Sequence, residues 1–302
     1  MKRLLLAALL ACLASRAGAQ IIYEGFNYSA GTNTAANSGL ATTTGAAVSG
    51  TGLTGNWTMN RGGNANVNGS SFASGSLGYG TLPASGGKLQ WDGVNASGAA
   101  GNILAAQLTS SAQSALGVDE TTKTLWMSYL VNANNTGFGT DFGVYLRNNA
   151  VSGDSTGASV FGFGLSGTNA RLYYNNTSAQ AAFSAGLTTT YWLVGNLTYS
   201  ETGGTTTFSS ANLWVFNATS GNPPASAGAL GAATVSWSGT STSGANRTPT
   251  YLSFHTNSSP NDPQFDEVRI GDSYLSVVPE PGTWTLLAGG LTTLVLFRRR
   301  RA

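Results

Sequence analysis

The sequence predicts an all-β fold, a two-sheet antiparallel jelly-roll sandwich, flanked by an N-terminal signal peptide and a short C-terminal transmembrane helix. Apolar and polar residues alternate with a period of two through most of the chain, which is typical of half-buried strands. Aromatic residues make up 10% of the chain, and disordered segments are poor in them. The two ends differ from the rest because they have the composition of membrane-targeting segments.

The N-terminus has the three parts of an export signal. Lys2 and Arg3 provide the positive charge, residues 4–13 are an apolar stretch, and small residues lead up to Ala19. We therefore expect cleavage between Ala19 and Gln20.

Cys12 is the only cysteine of the chain. Residues 9–12 resemble a lipobox, which leaves lipidation of Cys12 as a competing interpretation, although Leu10 is a poor residue for its position there. Cleavage after Ala19 removes Cys12, so the exported domain would have no disulfide and would depend on its own core.

The formal net charge of +2 comes from the two ends. Three basic residues precede the predicted cleavage site and four arginines lie near the C-terminus. Seven scattered basic residues then remain in the exported domain, against eleven acidic ones once Glu280 is counted with the C-terminal segment. The domain between the ends is therefore mildly acidic. Because phosphate binding needs clustered lysine and arginine, this charge pattern excludes a broad nucleic-acid surface.

The first strand is predicted over Ile21 to Tyr28, followed by polar loops over residues 29–50 and, after a short strand near Trp57, over residues 61–80. No convincing helix is expected outside the two terminal segments. About a dozen strands are predicted in all, and the later ones lie near residues 88–91, 102–108, 123–131, 138–147, 159–165, 171–174, 190–199, 206–217, 232–237, 250–256 and 264–270. Two packed sheets are the expected arrangement for so many short strands.

The C-terminus begins with a rigid turn at Pro279-Glu280-Pro281 and continues with an uncharged stretch over about 283–297. As a helix this stretch is about 22 Å long, which is short against a hydrocarbon core of about 30 Å. The positive-inside rule places the following arginines in the cytoplasm and the rest of the chain outside. This cytoplasmic stop consists of Arg298, Arg299, Arg300 and Arg301.

This order of a Pro-Glu-Pro turn, a short apolar helix and an arginine cluster resembles the PEP-CTERM sorting tail of Gram-negative bacteria. The resemblance covers about 25 residues, and the sorting motif would be Val278, Pro279, Glu280 and Pro281. It implies recognition by an exosortase-type membrane protease with cleavage near this motif. The protein would then be exported, transiently anchored in the inner membrane, and released to the cell surface or the medium, often alongside exopolysaccharide.

The middle of the chain resembles concanavalin A-like lectin/glucanase domains of the laminin-G-like type. The resemblance is carried by the opening Tyr23-Glu24-Gly25-Phe26, by Tyr191-Trp192-Leu193-Val194 with Leu213-Trp214-Val215-Phe216, and by the closing Phe265-Asp266-Glu267-Val268. It implies a jelly roll whose first and last strands lie together. The predicted domains are residues 1–19 (signal peptide), 20–276 (β-sandwich) and 277–302 (sorting segment).

The glucanase activity of this family is not expected here. Those enzymes place carboxylates along one strand, spaced roughly as E-x-D-x-x-E, and no such string occurs. The adjacent pairs Asp119-Glu120 and Asp266-Glu267 would point to opposite faces of a strand. His255 is the only histidine, and it is expected to be a hydrogen-bonded strand residue rather than a catalytic base.

The resemblance also implies a structural calcium near the joined terminal strands, held by Asp266 and by Glu24. Oxygen ligands of this kind suit calcium, but a plain salt bridge of Asp266 or Glu267 with Arg269 or another basic residue is the alternative. The tryptophans are expected to be mostly core, with one or two exposed enough to stack on sugars.

The sequence thus predicts a non-catalytic envelope or extracellular-matrix protein that binds carbohydrate or adheres to it. The expected partners are an exosortase-type protease, the membrane before processing, and an exopolysaccharide or other glycan, but no nucleic acid. A purely structural surface protein without a ligand and a glycan-active enzyme of unrecognised mechanism are the alternatives.

Overall fold

A computed structural model describes residues 19–29, 42–61, 70–80, 86–91, 102–117, 122–133, 141–148, 159–166, 169–175, 177–183, 189–217, 221–243, 247–257 and 263–278. These ranges contain strands, two short α-helices and a 3-10 turn. In chain order the strands are β1 (Gln20–Glu24), β2 (Thr42–Ala47), β3 (Leu53–Arg61), β4 (Ser70–Ser74), β5 (Gly87–Trp91), β6 (Asn102–Leu108), β7 (Lys123–Ala133), β8 (Asp141–Arg147), β9 (Ser159–Ser166), β10 (Asn169–Tyr174), β11 (Thr177–Ala182), β12 (Thr190–Thr202), β13 (Thr205–Asn217), β14 (Val235–Ser243), β15 (Tyr251–Asn257) and β16 (Pro263–Gly271). The helices are α1 (Ser110–Leu116) and α2 (Tyr274–Val277), and the 3-10 turn is Ala227–Ala229.

The strands form two antiparallel sheets of eight strands each. Sheet A has the order β14-β13-β12-β7-β16-β5-β4, with β1 also paired to β16, and sheet B has the order β11-β10-β9-β8-β15-β6-β3-β2. The first and last strands pair directly, with Gln20 opposite Gly271 and Glu24 opposite Val268. The predicted two-sheet antiparallel sandwich is therefore confirmed.

The two sheets enclose an apolar core because alternate residues of each strand face inward. Tyr129 of sheet A illustrates the packing. Its ring stacks on Phe163 of sheet B with the centroids 5.2 Å apart, and its hydroxyl donates a hydrogen bond to the Phe163 carbonyl at 2.6 Å. The apolar residues of the predicted alternation are thus the ones that face the core between the sheets.

A second apolar cluster lies on the outer face of sheet A. Trp126, Trp192 and Trp214 of strands β7, β12 and β13 form its floor, and all three are buried. Residues from three other segments of the chain complete this outer cluster and cover the tryptophans: Leu77 and Tyr79, then Leu230, then Tyr274 and Val277. Among the tryptophans whose side chains the structure describes, Trp57 lies in the core between the sheets, as expected, whereas Trp126, Trp192 and Trp214 are buried in the outer cluster instead.

Some local predictions were wrong. Strand β1 ends at Glu24 instead of continuing to Tyr28, because Phe26 has a φ angle of 50° and turns the chain. The predicted polar loops contain β2 and β4, and the Ser/Ala/Gln segment Ser110–Leu116 is a helix. Thr109 caps that helix, since its side chain accepts a hydrogen bond from the Ala112 amide at 3.2 Å.

The predicted signal peptide and transmembrane stretch (283–297) lie outside the described residues, apart from Ala19. In the part of the chain that the structure describes, no helix is both long and apolar enough to cross a membrane.

Candidate functional site

The candidate site lies where β1 and β5 meet end to end along one edge of β16. Strand β5 pairs with Gln264 and Phe265 of β16, and β1 pairs with Val268 to Gly271 of the same strand. The ladder of β16 is irregular between these two parts, at Asp266 and Glu267. Between the two short strands the chain turns at Phe26, whose carbonyl accepts a hydrogen bond from the Gly87 amide at 3.2 Å. The terminal strands thus place Glu24, Asp266 and Glu267 on neighbouring strands of one sheet.

Glu24 is fully buried and is surrounded by hydrogen-bond donors. Its carboxylate accepts the Phe26 amide at 2.7 Å and the Tyr28 hydroxyl at 3.0 Å, and the Gly50 backbone amide donates to it as well. The Tyr28 oxygen in turn accepts hydrogen bonds from the Trp57 indole N–H and the Ser49 amide, both at 2.9 Å. Glu24 therefore holds the turn after β1 against the segment before β3.

An open cleft of about 270 Å³ lies beside this network. Asn27, Ser49 and Thr51 are exposed at its rim, and Tyr23 is half-buried. Among the described residues, the cleft has no charged side chain in its lining other than Glu24, and it is lined by Tyr23, Glu24, Gly25, Asn27, Ser49, Gly50 and Thr51. Such a cleft offers both donors and acceptors to a small neutral ligand.

A second group of polar side chains lies on the opposite, outer side of β16. Both oxygens of Asp266 accept backbone amides, from Leu77 at 2.7 Å and from Glu267 at 2.8 Å. Glu267 accepts hydrogen bonds from the Tyr23 hydroxyl at 3.2 Å and the Arg269 guanidinium at 2.7 Å. The Arg269 guanidinium also lies over the Tyr23 ring, 4.7 Å from its centroid.

The expectation that Asp266 and Glu267 point to opposite faces was wrong. Glu267 has a φ angle of 52°, and the pairing of β16 with β7 shifts register between Asp266 and Arg269. Such an irregularity breaks the strict alternation of a strand. The Glu267 carboxylate therefore reaches Tyr23 and Arg269, which are register partners on the outer face, and its charge acts on Asp266.

Burial raises the pKa of both buried carboxyl groups. The pKa of Glu24 rises to about 7 because burial outweighs its hydrogen bonds with Phe26, Tyr28 and Gly50. Burial also raises the pKa of Asp266 to about 8, with the negative charge of Glu267 adding to the effect and the Leu77 amide opposing it. Both groups are thus partly or largely protonated in the folded protein at neutral pH.

The two predicted calcium ligands do not converge. Glu24 is the register partner of Val268, which faces the inner core, whereas Asp266 is the partner of Leu130, which belongs to the outer cluster. Their carboxylates also accept N–H and O–H groups, which are donors and not metal ligands. Among the described residues, no three His, Cys, Asp or Glu side chains are grouped so as to hold a metal, and calcium binding stays a prediction.

The other predicted site residues are placed as follows. His255 is buried on β15, with its ring edge-to-face with Tyr145 at 6.1 Å. Ala19 and Gln20 are exposed at the start of β1, and the amide of Val278 donates to the Tyr274 carbonyl at 3.2 Å. The remaining sorting residues, the four arginines and the pair Asp119-Glu120 lie outside the described residues, so predictions about them are untested.

Comparisons with known proteins found similar solved structures but no family for this chain. No protein-family model matches the chain, and no curated protein matches it. A protein of unknown function from Shewanella oneidensis MR-1 is 12% identical with a TM-score of 0.42, over 89% of this chain and 95% of that one. Lectin II from Ulex europaeus (11% identity, TM-score 0.33, 61% and 86% coverage) and the Ca²⁺/Man3GlcNAc-bound VIP36 exoplasmic/lumenal domain (9%, 0.35, 65% and 84%) are also similar. These likenesses concern the fold alone, and the two-sheet sandwich rests on the strand pairing described above.

Several residues of the site were not found by sequence reasoning. Tyr28 was assigned to a strand, and Ser49 and Gly50 to a loop, without any link to Glu24. The contacts between Glu24 and Gly50 and between Tyr28 and Trp57 join segments that are far apart in the chain. The one available signal was the density of polar aromatic residues around Glu24, with Tyr23 before it and Tyr28 after it.

Proposed function

We propose that the protein is a non-catalytic, exported envelope or matrix protein that binds a glycan through the cleft at Glu24. The observation that carries the proposal is an open cleft at whose rim the side chains of Asn27, Ser49 and Thr51 are exposed, next to the buried network of Glu24. A volume of about 270 Å³ suits a single sugar ring rather than a long chain, since larger ligands occupy pockets of about 300–1,000 Å³.

The cleft supports sugar binding by its hydrogen-bonding groups. The side chains of Asn27, Ser49 and Thr51 can each donate and accept hydrogen bonds, as sugar hydroxyls require. Tyr23 also lines the cleft, and Glu267 and Arg269 hold its side chain in place. Because the chain itself donates hydrogen bonds to Glu24, the cleft is rigid before any ligand arrives, which lowers the entropic cost of binding.

A glycan array followed by titration calorimetry with the strongest ligand tests this proposal. Asn27→Ala and Thr51→Ala should each weaken binding by about tenfold, the value of one well-formed hydrogen bond. Thr242→Ala, which removes an equally exposed threonine from the edge strand β14, is the matched control and should bind as the wild type does. If the wild type binds no glycan, or if all three variants behave alike, the cleft is not a sugar site.

We further propose that the C-terminal segment acts as a sorting tail that an exosortase-type protease removes near Pro279-Glu280-Pro281. This part rests on the sequence alone. In a host with an exosortase, the mature protein should start at Gln20 and lack both the apolar stretch 283–297 and the four arginines, as shown by intact-mass measurement. In an exosortase-deficient strain the protein should stay membrane-bound with its tail, and an unprocessed tail in the normal host would contradict the assignment.

The proposal that the protein is not an enzyme also has a chemical argument. Asp266 and Glu267 share one side of β16, but both Asp266 oxygens accept backbone amides and the side chain is fully buried. A general acid must reach its substrate. Incubation with the glycans that bind should therefore release no reducing sugar, and release that disappears in Asp266→Asn would establish an enzyme instead.

Calcium remains the one proposed cofactor. Measurement of the melting temperature in calcium chloride and in EDTA tests it, and a difference that is lost in Asp266→Ala would support binding at that residue. Equal melting temperatures in the two solutions would exclude a structural calcium.

A further inference from the structure

Helix α2 ends where the proposed sorting motif begins. The helix comprises Tyr274–Val277, and the motif starts at the next residue, Val278. Val277 is fully buried, and Val278 packs partly against the outer cluster. The amide of Val278 also donates a hydrogen bond to the Tyr274 carbonyl at 3.2 Å. The first residue of the motif is therefore part of the folded domain.

Helix α2 is held on sheet A by contacts with distant parts of the chain. The Val277 carbonyl accepts a hydrogen bond from the hydroxyl of Ser128, a buried residue of β7. The Tyr274 ring lies edge-to-face with Trp126 at 5.4 Å, and its hydroxyl donates to the Pro224 carbonyl at 2.6 Å. Because an isolated helix of so few residues is not stable in water, α2 keeps its form only while these contacts persist.

The start of α2 is fixed by its own side chains. Ser273 and Ser276 form a capping box, in which the side chain of each accepts a hydrogen bond from the backbone amide of the other at 3.3 Å. This arrangement satisfies amide groups that the first turn of a helix leaves without partners. The segment from Ser273 to Val278 is thus ordered up to the residue that opens the motif.

This ordered segment is the part of the chain that a protease would have to bind on the amino side of the motif. Cleavage of folded proteins proceeds through locally open states, and its rate follows the open population when opening and closing are fast relative to cleavage. Here the backbone before the motif is helical, and the Val277 carbonyl is already bonded to Ser128. The docked helix therefore withholds this side of the motif from a protease.

The open state should be a minor one. Release of α2 from sheet A would bring the buried side chains of Tyr274 and Val277 into water and would uncover Trp126 beneath them, and exposure of apolar surface is unfavourable. A change that weakens the docking without altering the motif should accordingly raise the open population and the rate of cleavage.

We propose that α2 is a latch that controls removal of the C-terminal segment, so that cleavage near Pro279-Glu280-Pro281 follows the release of α2 from sheet A. The inference rests on the proposed function, because it concerns the processing of the same motif. It adds that the stability of a contact inside the folded domain sets the rate at which the protein leaves its anchor. While α2 stays docked, the tail is retained.

Pulse-chase measurement of processing in a host with an exosortase tests the latch. Ser128→Ala removes the hydroxyl that holds the Val277 carbonyl, at a site 149 residues before it in the chain. It should speed processing by about tenfold, the value of one buried hydrogen bond. Ser253→Ala is the matched control, because it removes a buried serine hydroxyl that donates to the Tyr145 carbonyl at 3.3 Å in sheet B. It should leave the rate unchanged.

A linker variant tests the latch without weakening the domain. A flexible Gly-Ser linker inserted between Val277 and Val278 keeps the motif whole and moves it away from the docked helix. Processing of this variant should also be faster than that of the wild type. Ser128→Ala should add nothing to the linker variant, because the docking of α2 no longer limits access.

The outcomes separate the latch from the sorting proposal. Equal acceleration by Ser128→Ala and Ser253→Ala would assign the effect to general instability and overturn the latch, as would equal rates in the wild type, Ser128→Ala and the linker variant. If the host processes none of these proteins, the sorting proposal fails, and proteinase K tests the latch on the full chain in detergent. Cuts within residues 273–278 should then appear about tenfold faster in Ser128→Ala, and equal rates would overturn it. Melting curves confirm that each variant folds.

Discussion

Phe26 and Glu267 adopt a left-handed backbone conformation that residues with a side chain seldom take, with φ angles of 50° and 52°. Such a conformation costs about 1–3 kcal/mol and persists only where the surroundings fix it. The Phe26 ring packs between Phe72 and Phe254, with centroids at 6.1 and 5.5 Å, and the Glu267 side chain bonds with Tyr23 and Arg269. These two residues shape the candidate site, and their side-chain types give no indication of the left-handed conformation in the sequence.

The buried carboxyl groups predict an unusual dependence of stability on pH. The pKa of Glu24 rises from 4.5 to about 7 and that of Asp266 from 3.8 to about 8. Between about pH 4 and pH 8 the folded state therefore binds more protons than the unfolded chain, and the free energy of unfolding falls as the pH rises. Each group contributes a slope of up to about 1.4 kcal/mol per pH unit. Denaturant unfolding should give a lower free energy of unfolding at pH 8 than at pH 5.

Glu24→Gln provides the control for this prediction. The amide keeps the shape of the side chain but does not titrate, so the fall in stability between pH 5 and pH 7 should become shallower. The remaining decline up to pH 8 belongs to Asp266. A wild-type stability that stays constant or rises over the same interval would show that these carboxyl groups ionise normally in the folded protein.

Gly50 is predicted to be essential to the cleft because a side chain does not fit there. A Cβ atom at this position would lie 2.6 Å from the Tyr23 carbonyl oxygen and 2.7 Å from a Glu24 carboxylate oxygen. Gly50→Ala should lower the free energy of unfolding by about 1–3 kcal/mol and weaken any ligand of the cleft. Gly78→Ala has nothing within 4 Å of the new atom and should be nearly neutral, so similar losses in both variants would contradict this account.

At the scale of elements, the sequence predicted those strands whose side chains alternate strongly, such as β7 with Leu125, Met127 and Tyr129 facing the inner core. It missed β11 (Thr177–Ala182), an uncharged edge strand whose side chains are exposed or half-buried, because no buried face imposes an alternation there. Helix α1 was missed for a similar reason, since only Ala112 and Leu116 of its residues are buried. The periodicity of apolar residues in a sequence reflects the burial of one face, so elements with few buried side chains show little periodicity.

Helix α2 is predicted to hold the outer cluster closed. The Tyr274 ring lies edge-to-face with Trp126 at 5.4 Å, and its hydroxyl donates to the Pro224 carbonyl at 2.6 Å. Tyr274→Ala should cost about 3–5 kcal/mol, as is typical for large-to-small changes at buried aromatic residues, and should make tryptophan fluorescence more sensitive to acrylamide. Leu275→Ala alters the neighbouring residue, which is 46% exposed, and should change neither property. Equal quenching in both variants would show that Tyr274 does not shield the tryptophans.

At the scale of the whole molecule, the start of β1 and the end of β16 lie side by side. Gln20 is the register partner of Gly271, and the Asp272 amide donates to the Ala19 carbonyl at 3.4 Å. The predicted signal peptide would therefore leave the sandwich close to the start of the C-terminal turn. The sequence predicted the pairing of the terminal strands from a family resemblance, but it set the end of the domain at residue 276. Val277 is fully buried, and Val278 packs partly against the outer cluster.

The C-terminal end of the folded domain can be tested by comparing two truncated proteins. A protein ending at Val278 keeps the buried Val277 and the Ser128 hydroxyl bond to its carbonyl, so its melting temperature should match that of the chain with residues 279–302 to within about 2 °C. A protein ending at Asp272 loses Tyr274 and Val277 and uncovers Trp126, so its melting temperature should fall by about 5 °C or more. Differential scanning calorimetry measures both. If the shorter protein melted with the longer one, the C-terminal turn would be no part of the folded unit, and the domain would end at β16.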